Sequence, residues 1–432
     1  MHGLSTESAS RQKAPAFARI AVLLLLCLLV FPLTASGRQA KKPFPAWKQQ
    51  CLSLAGGGAF AFYDADGTLL FGHNVDAAMV PASAVKILTA LIALDTLGSE
   101  FHFTTDCYYD VHTHDLLIKG YGDPLLISEE WQKLATALVA HGVTQVRHIL
   151  LDDSYFSGMV QIHGTANSLN PYDAPNLALS VNFNTIHVQV DAKGIVSSAE
   201  EQTPLTPFSR SLARSLGIRG RQRISLQQQR ADILTYVGEL AAAFLRQAGA
   251  TVTGRVISDG SAPATAPTLR YTSSFNLDQV VQKMMRFSNN FIANQLFLFL
   301  GARTFGPPAS ALKSRRFARL RIPALLGVTT IQYHEGSGIS RRTRMSCRDF
   351  HVLLQCFAPH RHLLHEWLPG VRAKTGGLTG VSTAAGYIVP AKGEPVLFAV
   401  MLAGKQAARW RVKEIIRLFQ AHYKPAVPGP GG

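Results

Sequence analysis

The sequence predicts an α+β protein: an antiparallel sheet flanked by helices, with a smaller β-rich domain inserted into it. Three observations predict this. Residues 87–97 are mostly Ala, Leu and Ile, apolar nearly all round, and are closed by Gly98, the pattern of a buried helix. Strand pairs with turn chemistry between them lie near both ends of the chain: 59–63 and 68–71 around Asp64-Ala65-Asp66-Gly67, and 383–389 and 395–402 around Ala391-Lys392-Gly393-Glu394. Between about 150 and 260 the texture changes, and residues 191–230 are rich in Ser, Gln and Arg with little to form a large core.

Composition bounds the class. The chain has 432 residues, 47% hydrophobic and 16% charged, enough for a globular protein of two or more domains. A net charge of +16 suits an anionic membrane or cell-wall surface. No zinc-finger spacing and no aromatic-basic pattern is present, so nucleic acid is not expected. The basic cluster from Lys313 to Arg321 reads as a solvated face.

The N-terminus reads as a secretory signal covering residues 1–37. Arg11, Lys13 and Arg19 precede an apolar run at 20–33, which is short for a membrane span, and Thr34-Ala35-Ser36-Gly37 supplies a small-residue exit. An uncleaved anchor is the alternative. Beyond Cys27, inside that run, remain Cys51, Cys107, Cys347 and Cys356; spacing allows two disulfides or four free thiols, and no C-x-x-C pattern marks a metal.

In chain order, 41–50 is a polar approach to the first hairpin. After the buried helix, 101–109 and 116–119 read as strands, and Gly120-Tyr121-Gly122-Asp123-Pro124 as a sharp turn. Residues 129–141 are helical and 145–151 a strand. The stretch 176–190 alternates, 231–248 is an amphipathic helix ended by Gly249, and 251–258 is a strand. A long helical pattern at 279–301 is interrupted at Ser288-Asn289-Asn290. A short strand at 329–331 precedes the glycine-rich loop 334–340, and 348–356 is helical. The cluster His360, His362, His365 and Glu366 fits no standard ligand spacing and reads as a loop. Residues 371–375 are a strand, 406–422 an amphipathic helix, and 424–432 a disordered tail.

Three short motifs carry chemistry. Ser83 and Lys86 are three residues apart at the mouth of the buried helix, so both side chains leave one face, a nucleophile beside a base. Burial disfavours the ammonium and frees the amine to take a proton. Ser288-Asn289-Asn290 and Lys374-Thr375-Gly376 follow in order, in a helix break and at a strand end. Ser288 offers a hydroxyl that bridges Lys86 and the leaving nitrogen to relay a proton, Asn290 an amide for a peptide group, Lys374 a charge that holds Ser288 and attracts a carboxylate, and Thr375 a hydroxyl for that carboxylate. The backbone N–H groups of Ser83 and Gly377 are the candidate oxyanion hole.

S-x-x-K, S-x-N and K-T-G in this order resemble the signature of penicillin-binding proteins and class A β-lactamases. Ser83 and Ser288 lie too far apart for a compact β-lactamase. Pro81-Ala82-Ser83, Gly120 to Leu125, Asp152 to Phe156, Ser180 to Asn184, Glu335-Gly336-Ser337-Gly338 and Val371 to Gly376 resemble the class C low-molecular-mass penicillin-binding proteins, the D-alanyl-D-alanine carboxypeptidases/endopeptidases. The resemblance covers roughly residues 45–423. It implies a serine DD-peptidase/β-lactamase-like catalytic domain at 38–110 and 262–423, interrupted by an accessory domain at 111–261. It implies a periplasmic enzyme that cleaves the terminal D-Ala from peptidoglycan stem peptides through an acyl-enzyme on Ser83. It also implies cross-link endopeptidase activity in many members, acylation by β-lactam antibiotics, and no metal or organic cofactor. The chain departs from the pattern at Gly377, where Ser or Thr is common, at Glu335, where Asp is usual, and in a shorter insertion. Two other readings are a β-lactamase-like hydrolase, which rapid penicillin turnover would mark, and a non-catalytic peptidoglycan-binding module, which Gly377 slightly favours.

Overall fold

The computed structural model describes residues 44–226, 229–390 and 393–423. Helix α1 (Ala46–Ala55) stands where the sequence reads as a polar approach. It forms because Trp47, Cys51, Leu54 and Ala55 fall on one face at helical spacing and pack on the sheet, while Gln49 and Gln50 stay exposed. Strands β1 (Ala59–Tyr63) and β2 (Leu69–His73) make the expected hairpin. A single 3-10 turn (Ala82–Val85) then opens helix α2 (Lys86–Leu97), whose residues from Lys86 to Leu94 are all buried.

Next come β3 (His102–Tyr109), β4 (Leu116–Gly120) and α3 (Ser128–Ala140). The strand expected at 145–151 is two short ones, β5 (Gln145–Val146) and β6 (Ile149–Asp152). Of the alternating stretch 176–190 only β7 (Thr185–Val190) is a strand. Asn182, Phe183 and Asn184 before it all take left-handed φ, which asparagine tolerates, and Asn182 bonds Ser128 instead of a strand. The polar stretch after it holds β8 (Val196–Ser198), α4 (Pro207–Ser215) and β9 (Gly220–Ser225). Capping by the Thr206 side chain starts α4, and Ala213, Ile224 and Leu226 join a core that the polar composition had concealed. Helix α5 (Arg230–Gln247) matches the expected amphipathic helix, and 251–258 divides into β10 (Thr251–Val252) and β11 (Val256–Ile257). Then follow β12 (Leu269–Asn276), α6 (Leu277–Phe287), α7 (Asn290–Phe305), α8 (Ala311–Leu326) and α9 (Cys347–Phe357). The expected strand at 329–331 is absent; one bridge, Gln332 to Arg344, stands beside it. The chain closes with β13 (Glu366–Leu368), β14 (Val371–Leu378), β15 (Val381–Ile388), β16 (Val396–Ala403) and α10 (Arg409–His422).

The main sheet runs β13-β14-β15-β16-β1-β2. Strand β1 pairs antiparallel with β16, so the hairpins from the two ends of the chain fuse into one sheet. Alternate residues face opposite ways. Ala59, Ala61, Ala385, Ala399 and Met401 meet α2, α6, α7, α8 and α9, while Phe60, Phe62, Ala384, Phe398 and Val400 meet α1 and α10. Burial on both faces explains why 396–402 is apolar without alternation. Phe62 stacks on Phe419 of α10 at 3.9 Å, which ties that helix down; each such buried ring contributes about 1.5–3 kcal/mol.

A second sheet, β11-β6-β4-β3-β12, packs against α3 and α5 around Trp131, Leu134, Leu138, Tyr236, Leu240 and Phe244. Its strands β3 and β12 pair with each other and lie on either side of the boundaries expected at 110 and 262, so this sheet draws on both sides of them. Smaller sheets, β8-β7-β9 and β10-β5, border the same core.

Cys51, Cys107, Cys347 and Cys356 are free thiols. Among the described residues no helix is long and apolar enough to cross a membrane, and no cluster of three or more His, Cys, Asp or Glu is arranged to hold a metal. The signal-peptide expectation at 1–37 and the tail at 424–432 fall outside the described residues.

Candidate active site

Ser83 projects from the 3-10 turn because the turn begins with a sharp reversal: Ala82 takes φ 46, a region L-residues rarely adopt. Gly338 fits beneath it; a Cβ there would lie 2.0 Å from the Ala82 carbonyl oxygen. The loop that carries Gly338 is folded around one carboxylate. Glu335, 1% exposed, accepts from the Ser337 N–H at 2.7 Å, the Ser337 hydroxyl at 2.6 Å, the Gly338 N–H at 2.8 Å and the Ser340 N–H at 3.1 Å. This arrangement aims the Ser337 carbonyl at the first motif.

Lys86 is fully buried and donates to three acceptors: Ser83 Oγ at 3.0 Å, Asn290 Oδ1 at 2.8 Å and the Ser337 carbonyl at 2.6 Å. Burial, then the charge of Lys374, lowers its pKa; Glu335 opposes the shift. An amine held against a hydroxyl and poorly able to keep its third proton is a base for that hydroxyl.

The second motif sits where two helices break. Ser288 ends α6 in the left-handed conformation, φ 51, and Asn289 caps α7 by accepting from the Ile292 N–H at 3.0 Å. The break turns Ser288 and Asn290 inward. Ser288 Oγ accepts from Lys374 Nζ at 2.9 Å, and Asn290 Nδ2 donates to the Tyr172 carbonyl at 3.2 Å. The bond from Lys374 to Ser288 is the one expected, whereas the bridge expected from Ser288 to Lys86 is not a direct hydrogen bond. Lys374, 2% exposed, also donates to the Thr375 carbonyl at 2.9 Å; burial, then Arg409, lowers its pKa to about 8.

The third motif lies on an open strand edge. Strand β13 pairs with β14 only at Val371 and Arg372, so from Lys374 onward that edge has no partner strand among the described residues. Gly376 brings it against the first motif: a Cβ there would lie 2.7 Å from the Ser83 nitrogen and 2.4 Å from Thr383 Oγ1, which itself donates to the Pro81 carbonyl. No side chain fits at that position.

Two cavities meet at Ser83, Ser288 and Gly377. One, of about 570 Å³, is bounded by Asn290, Gly338 and Thr379 and, opposite, by residues 164–173. Asp173 holds that wall by accepting from Ser168 Oγ at 2.6 Å and the Ala166 N–H at 3.1 Å. The other, of about 360 Å³, runs past Thr375, Gly376 and Ser382 to Arg409. A further cavity of about 600 Å³ lies at Asp106, Lys119 and Arg270; its charges are paired, Arg270 with Asp106 at 2.7 Å and Lys119 with Asp152 at 3.0 Å, and no activated nucleophile faces it.

All seven expected residues converge here: Ser83, Ser288, Asn290, Thr375 and Gly377 line the cavities, and Lys86 and Lys374 bond to those that do. Sequence reasoning missed Ser337, Tyr172, Ser382 and Arg409. Ser337 acts through its backbone, which leaves no mark in composition; Tyr172 and Arg409 lie far in sequence from the three motifs, and Ser382, six residues past Gly376, enters through its cross-strand pairing with Gly377.

A model of the D-Ala-D-Ala carboxypeptidase 3 (S13) family matches residues 49–370. The chain belongs to that family. It is 24% identical over 403 residues to the D-alanyl-D-alanine carboxypeptidase DacB of Haemophilus influenzae, covering 78% of this chain and 83% of the relative. To the D-alanyl-D-alanine carboxypeptidase of Actinomadura sp. (strain R39) it is 24% identical over 436 residues, covering 83% and 80%. The crystal structure of penicillin binding protein 4 (dacB) from H. influenzae superposes with a TM-score of 0.71 at 19% identity, over 87% of this chain and 99% of that one. The same protein complexed with a novel β-lactam gives a TM-score of 0.65. The resemblance to class C low-molecular-mass penicillin-binding proteins and the α+β fold both stand. This S13 member is a serine-type D-Ala-D-Ala carboxypeptidase.

Proposed function

We propose that this S13 carboxypeptidase acts on peptidoglycan stem peptides through an acyl-enzyme on Ser83, and that β-lactams acylate the same hydroxyl. The observation that carries the assignment is the 3.0 Å hydrogen bond between Ser83 Oγ and the buried amine of Lys86. Lys86 takes the Ser83 proton as Oγ attacks the carbonyl carbon of the penultimate D-Ala. The oxyanion accepts from the Ser83 and Gly377 N–H groups. As the C–N bond breaks, Ser288 passes its proton to the departing D-Ala nitrogen, and Lys86 gives the proton it took from Ser83 to Ser288, which restores both groups. Water then hydrolyses the ester. The unpaired β14 edge receives the peptide as an added strand, and Asn290 exchanges its bond to Tyr172 for one to the substrate amide. Cross-link endopeptidase activity uses the same steps with a longer leaving group.

Intact-protein mass spectrometry after benzylpenicillin, followed by peptide mapping, tests the assignment. A long-lived adduct on the peptide that contains Ser83 is expected. An adduct elsewhere removes Ser83 from the reaction, and rapid turnover with no adduct favours a β-lactamase-like hydrolase. The same experiment reads the mature N-terminus and so tests export to the periplasm. The accessory domain expected at 111–261 supplies the wall at 164–173 and is proposed to select the stem peptide.

Association with an anionic surface is supported by the outer face of α8, where Leu312 and Leu320 are exposed beside Arg316 and Arg319. Sedimentation with phosphatidylglycerol vesicles but not phosphatidylcholine vesicles, lost at high salt, is the expected result; equal behaviour with both rejects it.

A further inference from the structure

The cavity beyond Ser83 is lined by one charged side chain, the solvent-exposed Arg409, and no carboxylate stands beside it. Arg409 lines it as the first residue of α10, and among the described residues its guanidinium has no hydrogen bond and no ion pair, only the Trp367 ring at 5.6 Å. The position is unfavourable for the helix, because a cation at a helix N-terminus opposes the macrodipole, and the first turn holds no acid. It also crowds another cation, since Arg409 contributes to the lowered pKa of Lys374. Solvent access offsets these costs, but neither helix stability nor charge pairing favours an arginine here.

Its neighbours share one sheet face. Thr375 and Gly377 are two apart on β14, and Ser382 is the cross-strand partner of Gly377, so all three face the side covered by α10. The Ser382 hydroxyl lines the cavity and likewise has no hydrogen-bond partner among the described residues. Gly377 leaves open the place of the hydroxyl that the resemblance leads one to expect.

We propose that Arg409 and Ser382, with Thr375, form the pocket for the C-terminal carboxylate of the substrate, in place of a hydroxyl at position 377. This rests on the carboxypeptidase reading of the site. A guanidinium fork binds a carboxylate through two parallel N–H donors and adds a full charge. The pocket lies past Ser83 along the β14 edge, where the departing D-Ala would project. Arg409 therefore determines specificity for a free chain terminus over an interior peptide bond.

The test compares two peptides, one ending in D-Ala-D-Ala with a free carboxylate and the other the same peptide as its carboxamide. Arg409→Ala is expected to lower kcat/KM for the acid roughly ten- to a hundredfold and to change the carboxamide by less than about twofold. Arg409→Lys should fall between, keeping the charge without the fork. Adding Gly377→Thr to Arg409→Ala should restore part of the loss, because a Cβ at 377 meets nothing nearer than the Val381 carbonyl at 3.9 Å. Equal losses on acid and carboxamide, or no loss on either, overturn the pocket while leaving the carboxypeptidase reading intact. A parent protein that releases D-Ala from neither peptide overturns both.

Discussion

Lys374 Nζ donates to Ser288 Oγ at 2.9 Å, so the third motif's lysine holds the second motif's hydroxyl. Lys86 is committed elsewhere, to Ser83, Asn290 and the Ser337 carbonyl. The two lysines divide the work: one faces the nucleophile, the other the group beside the leaving nitrogen. The charge of Lys374 makes Lys86 a poorer ammonium, and the predictions below follow from that division.

Ser83→Ala removes the acylated hydroxyl. Labelling by a fluorescent penicillin is expected to vanish, with the thermal midpoint close to that of the parent; labelling at the parent's level rules Ser83 out as nucleophile. Lys86→Ala keeps the hydroxyl and loses the base, so acylation slows by about 10²–10⁴-fold. An unchanged rate takes Lys86 out of the mechanism.

The pH profile follows from the two amines. Lys86 must be neutral to accept the Ser83 proton, so acylation rises as pH climbs through its lowered pKa. Lys374 must be charged to hold Ser288, and its pKa is about 8, so the rate falls again above that pH. A bell is expected, with its alkaline limb near 8. Burial is the larger cause of the Lys374 shift and Arg409 the second, so Arg409→Ala should move the alkaline limb upward without abolishing it. A limb that stays in place separates Arg409 from Lys374.

Glu335→Gln replaces a carboxylate that accepts four hydrogen bonds with an amide that has one acceptor and turns two donors toward N–H groups. A loss of roughly 3 kcal/mol in unfolding free energy is expected. Acylation should slow as well, because the same loop aims the Ser337 carbonyl at Lys86. Denaturant melts and acylation rates together check this; loss of stability with unaltered acylation would confine Glu335 to a structural part.

Gly376→Ala places a methyl 2.7 Å from the Ser83 nitrogen, against backbone that cannot swing away. Penicillin acylation is expected to drop by more than tenfold, consistent with the cost of an ångström-scale misplacement. Parent-like acylation kinetics would show that the β14 edge does not set Ser83.

The cysteines make a simpler prediction. All four in the described region are free, and burial pushes the Cys51 thiol up to about 12. Reductant should leave the thermal midpoint unchanged, and a thiol reagent should reach Cys356, the partly exposed one, before the other three. A fall in midpoint on reduction would point to a bridge.

Much of the fold was legible because its signals are local. The buried helix shows in a run from Ile87 to Leu94 that is apolar but for Thr89, and the break at Ser288 in polar residues amid helical spacing. Helix α1 and the elements around Pro207 were hidden. In both, short apolar sets are diluted by polar neighbours, and only packing against a distant surface reveals the period.

The sequence by itself determined the reactive groups and their order, because a nucleophile and its base three residues apart are placed by helical geometry alone. Only the tertiary structure decided that Ser288 bonds Lys374 and not Lys86, which carbonyl holds Lys86, and that Arg409 stands beside Gly377 with no hydrogen-bond or ion-pair partner among the described residues. Those relations join residues 86, 251 and 32 positions apart. They exist because two terminal hairpins fuse into one sheet and carry its edge to the mouth of α2, a consequence of long-range packing that no local spacing encodes.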